Sequence, residues 1–320
     1  MFKVKMGKLS KTKTGLLATL ILVAIASPAL TFSSHHDDLY VNAKASGMED
    51  GSKEHPYKKI GSAIDKADSN TEIHVSKGEY EENITLKKGI KLFGDDADNT
   101  IIKAKKDKWS TVYMKDDSEI DDFTIKGGRE GVFVESHAKV NIISCKVKYN
   151  DNDGISIEGD GTSKSNQVYV GKSEIRNNGR AGIYVSGPRK LVFMNDDIYD
   201  NETDGIDMAG GVSAYIAKNL VKNNGGSGIV ATIDGSGIWT KSNSIRNNAR
   251  EGIEVSYSGG AGRLDVAHTS FVGNGRYAVA KLSRTNGLSV SAWNKYLTFG
   301  PGNYFASNGL GDASNVLRAN

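Results

Sequence analysis

The sequence predicts an all-β solenoid, and three observations predict it. One phrase recurs six times between residues 150 and 281: NDNDGISI, NGRAGIYV, NETDGIDM, NGGSGIVA, NAREGIEV and, more loosely, NGRYAVAK. The glycine before its apolar pair recurs as Gly131, Gly154, Gly182, Gly205, Gly228 and Gly252, with Ala278 in the last copy, at spacings of 23, 28, 23, 23, 24 and 26 residues. Apolar residues also hold fixed offsets from that marker in each copy. A period near 23 that returns its cues in phase makes each repeat one coil of a stack.

The offsets define the elements. Fourteen and twelve places before the marker lie pairs such as Val140 and Ile142, Val168 and Val170, and Leu191 and Phe193. Seven places before it stands Val147, Ile175, Ile198, Val221, Ile245 or Phe271. One and three places after it come Ile155 and Ile157, Ile183 and Val185, and Ile206 and Met208. These are three short, β-branched, alternating segments per coil, too short for helices. A single coil cannot bury its apolar side alone, so coils stack with strands about 4.8 Å apart. Four places before each marker is an asparagine (Asn150, Asn178, Asn201, Asn224, Asn248, Asn274). An inward amide at a turn can bond its own backbone and the amide of the next coil.

Ahead of the repeats, residues 1–30 carry five lysines and no acid, then an apolar run from Leu16 to Ala26 and the small residues Ser27-Pro28-Ala29. That is the layout of a secretory signal peptide, with an uncleaved membrane anchor as the other reading. The apolar run falls short of the ~20 residues that span a bilayer. Without those lysines the net charge moves from +3 (41 basic against 38 acidic) to −2 (36 against 38). The remaining body has no basic excess for nucleic acid. The protein is therefore expected to be secreted or held at a bacterial cell surface, touching membrane only through its N-terminal segment.

Residues 31–38, including His35-His36-Asp37-Asp38, read as a polar tether. Residues 39–72 read as an N-terminal cap: a short strand at Leu39–Val41 and a short helix with Ile60, Ala63, Ile64 and Ala67 on one face. Such a lid covers the open edge of the first coil. The solenoid is expected over 73–285, about ten coils by its strand segments. An aromatic-rich closing cap is expected over 286–320. Cys145 is the only cysteine, so no internal disulfide forms, and its alternating apolar setting reads as a buried small residue.

The stretch from Tyr40 to Ala67, followed by IHVSKGEYEENITLKKGIKLFGDDADNTII at residues 73–102, resembles the start of secreted right-handed parallel β-helix proteins of the pectate-lyase-like superfamily. The Asn-x-x-x-Gly-Ile phrases resemble the repeat of that superfamily. The resemblance implies a right-handed parallel β-helix and, among its members, lyases, hydrolases, epimerases and esterases; fold alone does not choose between them. NETDGID at residues 201–207 is similar to the polygalacturonase segment Asn-Thr-Asp-Gly-Ile-Asp, with one residue inserted, which would put a catalytic carboxylate at Asp204. The next coil, NNGGSGIVA, lacks the acids and histidine that family uses there.

Three outward rows follow from the offsets. Two places after the marker stand Phe133, Ser156, Tyr184, Asp207, Val230 and Glu254. One before it are Glu130, Asp153, Ala181, Asp204, Ser227 and Glu251; two before it are Arg129, Arg180, Arg250 and Arg276. Rings that cover sugar C–H faces, with charged groups that bond hydroxyls or uronate carboxylates, make a polysaccharide surface. Its expected contacts are Phe133, Asp153, Arg180, Tyr184, Asp207, Arg250 and Glu254, all reading as exposed. The catalytic candidates, if it is a lyase or hydrolase, are Asp204, Asp207 and Glu254. No metal or cofactor is called for; Ca²⁺ at Asp151 with Asp153, or Asp200 with Asp204, is the nearest alternative. A cell-surface spacer without a ligand is the remaining function class.

Overall fold

The computed structural model describes residues 38–159, 167–235, 237–281 and 290–314, with the side chains of 290–292 left aside. The chain divides into two units, Met1–His35 and His36–Asn320; the second contains everything below. The proposed signal peptide and all of the tether except Asp38 lie outside the described residues.

The repeats fold as the periodicity requires. Strands of three to six residues assemble into three parallel sheets. Sheet I has eleven strands, from Leu39–Val41 and Glu72–Val75 to Leu297–Phe299. Sheet II has ten, from Gly78–Glu81 to Tyr304–Ala306, and sheet III ten, from Ile84–Leu86 to Gly311–Ala313. After the first strand the chain visits I, II and III in turn, ten times. The expected all-β class and right-handed parallel β-helix both hold.

Register places like on like. In sheet III, Ile155 pairs with Ile183, Ile183 with Ile206, Ile206 with Ile229 and Ile229 with Ile253. All five are fully buried, and each such side chain taken out of water stabilises the stack by about 1.5–3 kcal/mol. The marker glycines are there because coils meet too closely for a side chain. A Cβ on Gly182 would stand 2.7 Å from both the Gly205 carbonyl oxygen and Ile198 Cγ2.

The asparagines form one continuous column. Asn150, Asn178, Asn201, Asn224, Asn248 and Asn274 each donate a side-chain N–H to the amide oxygen of the next, at 2.9–3.0 Å, and Asn308 ends the series. The same oxygens accept the backbone N–H of the preceding asparagine. A second column, invisible in the repeated phrase, lies nine places before the markers. There Cys145, Ser173, Asp196, Asn219, Asn243 and Thr269 each donate a backbone N–H to a side-chain oxygen in the following coil, ending at Asn303.

The capping helix, Ile60–Lys66, buries Ile60, Ala63 and Ile64. The Glu82 carboxylate accepts from the Ile60 and Gly61 N–H groups at 2.9 and 3.0 Å, so a residue of the first coil caps it. The other end corrects an expectation. Residues 297–313 are a tenth coil, with one strand in each sheet, so the β-helix runs past 285 and the segment 286–320 is not solely a cap. The longer spacing from Asn274 to Asn308 hid it, because a short helix, Val290–Tyr296, intervenes. Variation in repeat length between markers falls in the corner from sheet III to the next strand of sheet I; the other offsets are constant.

Candidate functional site

The three outward rows lie on sheet III and the turn before it. The row two after the marker is continuous: Thr85, Tyr113, Phe133, Ser156, Tyr184, Asp207, Val230, Glu254 and Ala280 are successive cross-strand partners. Asp207 and Glu254 are therefore two coils apart, as are Asp153 and Asp204, about 9–10 Å along the stack.

Depth is where expectation and structure part. Asp153 is 3 % exposed, Glu251 2 % and Glu254 6 %, and Glu130 and Ser227 are also buried. These groups point away from the apolar core but not into open solvent. The arginines beside them remain exposed and lie over them. Asp153 accepts from the Ala181 N–H at 3.1 Å and stands 3.7 Å from the Arg180 guanidinium, which is 5.6 Å from the Tyr184 ring centroid. Asp204 accepts from the Ser227 N–H at 2.6 Å. Glu254 receives Arg250 at 2.9 Å and the Ser227 hydroxyl at 3.0 Å. Glu251 receives Arg276 at 3.2 Å and Arg250 at 3.5 Å.

Crowding the acids into this trough has an electrostatic cost. Burial, and then the neighbouring charges of Asp204 and Asp153, push the Asp207 carboxyl up to about 6, against a smaller opposing pull from Arg180. Asp204 and Asp153 are raised as well, again chiefly by burial. The structure thus draws Asp153, Arg180, Tyr184, Asp204, Asp207, Arg250 and Glu254 into one electrostatically coupled region. Phe133 stands apart from it, two coils before Tyr184.

Phe133 belongs instead to an aromatic groove. Its ring stacks on Tyr113 with centroids 5.3 Å apart. A cavity of about 360 Å³ is lined by Lys108, Trp109, Ser110, Tyr113, Arg129 and Phe133. A second of about 490 Å³ continues it past Trp109 to Asn83, Thr85, Lys105 and Lys106. Trp109 is 66 % exposed. Sequence reading missed Trp109 and Tyr113, although register pairs Tyr113 with Phe133, which places Trp109 level with Arg129. Carrying the same offsets one coil further back would have found both.

Asp151 and Asp200, the nearest alternatives for calcium, are exposed on the turns. Among the described residues one group of three metal-ligand side chains converges: Glu72 and His74 on sheet I, with Asp38 just before its first strand. There Lys91 holds Glu72 at 2.8 Å, and His74 stands 3.6 Å from Asp38.

Comparison with known proteins agrees on the fold. The pectate lyase Pel9A superimposes with a TM-score of 0.63 at 14 % identity, over 88 % of this chain and 80 % of its own. An alginate lyase from Paenibacillus sp. gives 0.61 at 14 %, over 79 % and 96 %. The A-module of the mannuronan C-5 epimerase AlgE4 from Azotobacter vinelandii gives 0.53 at 15 %, over 86 % and 97 %. At such identities the likeness is one of fold. No curated protein matches the sequence. Residues 45–101 match a family described as a protein of unknown function (DUF1565). Residues 110–274, half of the chain, match the family described as the right handed beta helix region. With ten stacked coils, two polar columns and that match, the chain belongs to the right-handed β-helix family.

Proposed function

We propose that this protein binds polysaccharide along the outer surface of sheet III, outside the bacterial cell or at its surface. The observation that carries this reading is the continuity of one surface: the aromatic groove at Trp109, Tyr113 and Phe133 runs, strand by strand, into the acid-and-arginine trough at Asp153–Glu254. Exposed rings offer faces to pyranose C–H groups. Arginines over buried carboxylates offer paired donors and acceptors to hydroxyls and carboxylates. Structural neighbours named as polysaccharide lyases and an epimerase support the ligand class, and the N-terminal layout supports export.

A second reading, hydrolysis or elimination on the bound polymer, is favoured by Asp207. A carboxyl raised to about 6 keeps its proton nearer neutrality than an ordinary carboxyl, as a general acid needs. Glu254, two coils on, lies near the ~6.5–9.5 Å separation of inverting carboxylate pairs. Affinity electrophoresis on neutral and acidic polysaccharides tests the first reading: unchanged mobility with every polymer would defeat it. Assays for new reducing ends and for unsaturated products, on the same panel, test the second.

A further inference from the structure

Sheet I carries an aromatic strip that the proposed groove does not use. Tyr169, Val192, Tyr215 and Trp239 are successive cross-strand partners on its outer face. Tyr215 and Trp239 are 40 % and 42 % exposed. Two of the rings lie down on the sheet. A Cβ on Gly237 would come within 2.4 Å of Trp239 Cη2, and one on Gly171 within 2.5 Å of Tyr169 Cζ. Each glycine sits two residues from its aromatic, on the same side of the strand. The absence of a side chain there lets the ring lie flat along the backbone and turn a face outward.

We propose that this strip is a second polysaccharide-docking surface, separate from sheet III, that takes an extended chain bearing carboxylates. Tyr215 and Trp239 stand one coil rise apart, about 4.8 Å, and Tyr169 two rises before Tyr215, so ring faces recur along the stack on the scale of pyranose units along a polymer. Lys172, Lys190, Lys218 and Lys241 surround the strip and are exposed, while its nearest acid, Asp265, is paired with Arg263 at 2.8 Å. That charge complements a carboxylated polymer. The strip is one side chain wide, far below the ~800 Å² per partner of a stable protein interface. The proposal shares with the sheet III reading only the premise that the protein meets polysaccharide.

The test uses the exported chain with polygalacturonate and its methyl-esterified form in affinity electrophoresis. The Tyr215→Ala/Trp239→Ala double variant removes exposed rings, and circular dichroism checks its fold. Trp109→Ala reports on sheet III separately. The expected result is an about tenfold weaker retardation by polygalacturonate in the double variant, with less retardation of the wild type by the esterified polymer. Wild-type retardation of the double variant would overturn the proposal; if Trp109→Ala then lost binding, the sheet III reading would survive alone. No retardation of the wild type by either polymer would defeat both surfaces. Equal binding of the two polymers would overturn the carboxylate preference. Sedimentation that shifts with concentration in the wild type but not in the double variant would make the strip a self-association surface instead.

Discussion

Tyr184 and Asp207 are direct cross-strand partners in sheet III, and the same tyrosine ring carries the Arg180 guanidinium. The Asp207 carboxyl is thus placed beside a cation–π pair yet is still pushed up to about 6, because burial and two neighbouring acids outweigh the arginine. A carboxyl raised in the folded state favours folding while protonated. Its contribution is full below about 3.8, the unfolded value, and lost as pH rises through about 6. Asp207→Asn should therefore stabilise the protein at pH 7, by roughly 1–2 kcal/mol once partial solvent screening is allowed for, and leave stability unchanged at pH 3.5. Urea titrations at the two pH values check this.

Asp196 occupies a position in the second polar column that Asn219, Asn243 and Asn303 fill in later coils. Its Oδ1 accepts the Ser173 N–H at 2.9 Å, but its Oδ2 is buried without a partner. Burial pushes it up to about 7. The asparagines donate from Nδ2 to a carbonyl one coil back, as Asn219 does to Phe193 at 3.0 Å. Asp196→Asn should restore that donor, here toward Val170, and remove a loss of stability that sets in between about pH 4 and 7. The expected gain above pH 7 is on the order of 2–4 kcal/mol, vanishing near pH 3.5. A variant no more stable than wild type at pH 8 would contradict this account.

Asn201→Ala tests the first column. It removes the acceptor for both the backbone and the side-chain N–H of Asn178, and the donor to Asn224. Leaving buried donors unmet should cost about 2–4 kcal/mol, read as a lower urea midpoint.

Gly205→Ala probes the close approach between coils. The added methyl would meet Val221 Cγ1 at 2.5 Å and the Gly228 carbonyl oxygen at 2.6 Å. Backbone cannot yield as a flexible side chain can, so a loss of about 1–3 kcal/mol is expected. Gly235→Ala has open space around its Cβ and only its φ of +105° to strain it. It should cost less, which thermal melts of the two variants compare.

The sheets, the core rows and the Asn150–Asn274 column were legible because nearly identical residues return at one offset in each coil. The column through Asp196 was not, since serine, aspartate, asparagine and threonine fill it in turn and share only an oxygen. The outward direction of Asp153, Asp204 and Glu254 was legible from alternation. The burial of Asp153 and Glu254 was not: alternation says which side of a strand a residue takes, while depth comes from what lies over it, Arg180 of the next coil for Asp153 and Arg250 of its own coil for Glu254. Tyr113 and Trp109 escaped for another reason. Their coil has Thr111 where the later ones have glycine, as its cross-strand pairing with the Gly131 coil reveals.

Because the repeats from Asn150 to Asn274 differ in length at a single corner, segments inserted there after a sheet III strand leave every amide contact in phase. That corner is the place where this scaffold can acquire loops, from a few residues to a small folded module, without renegotiating its interior. A peptide tag placed there should be displayed beside the groove on an undisturbed stack, whereas the same tag between Val147 and Asn150 would uncouple the coils above from those below.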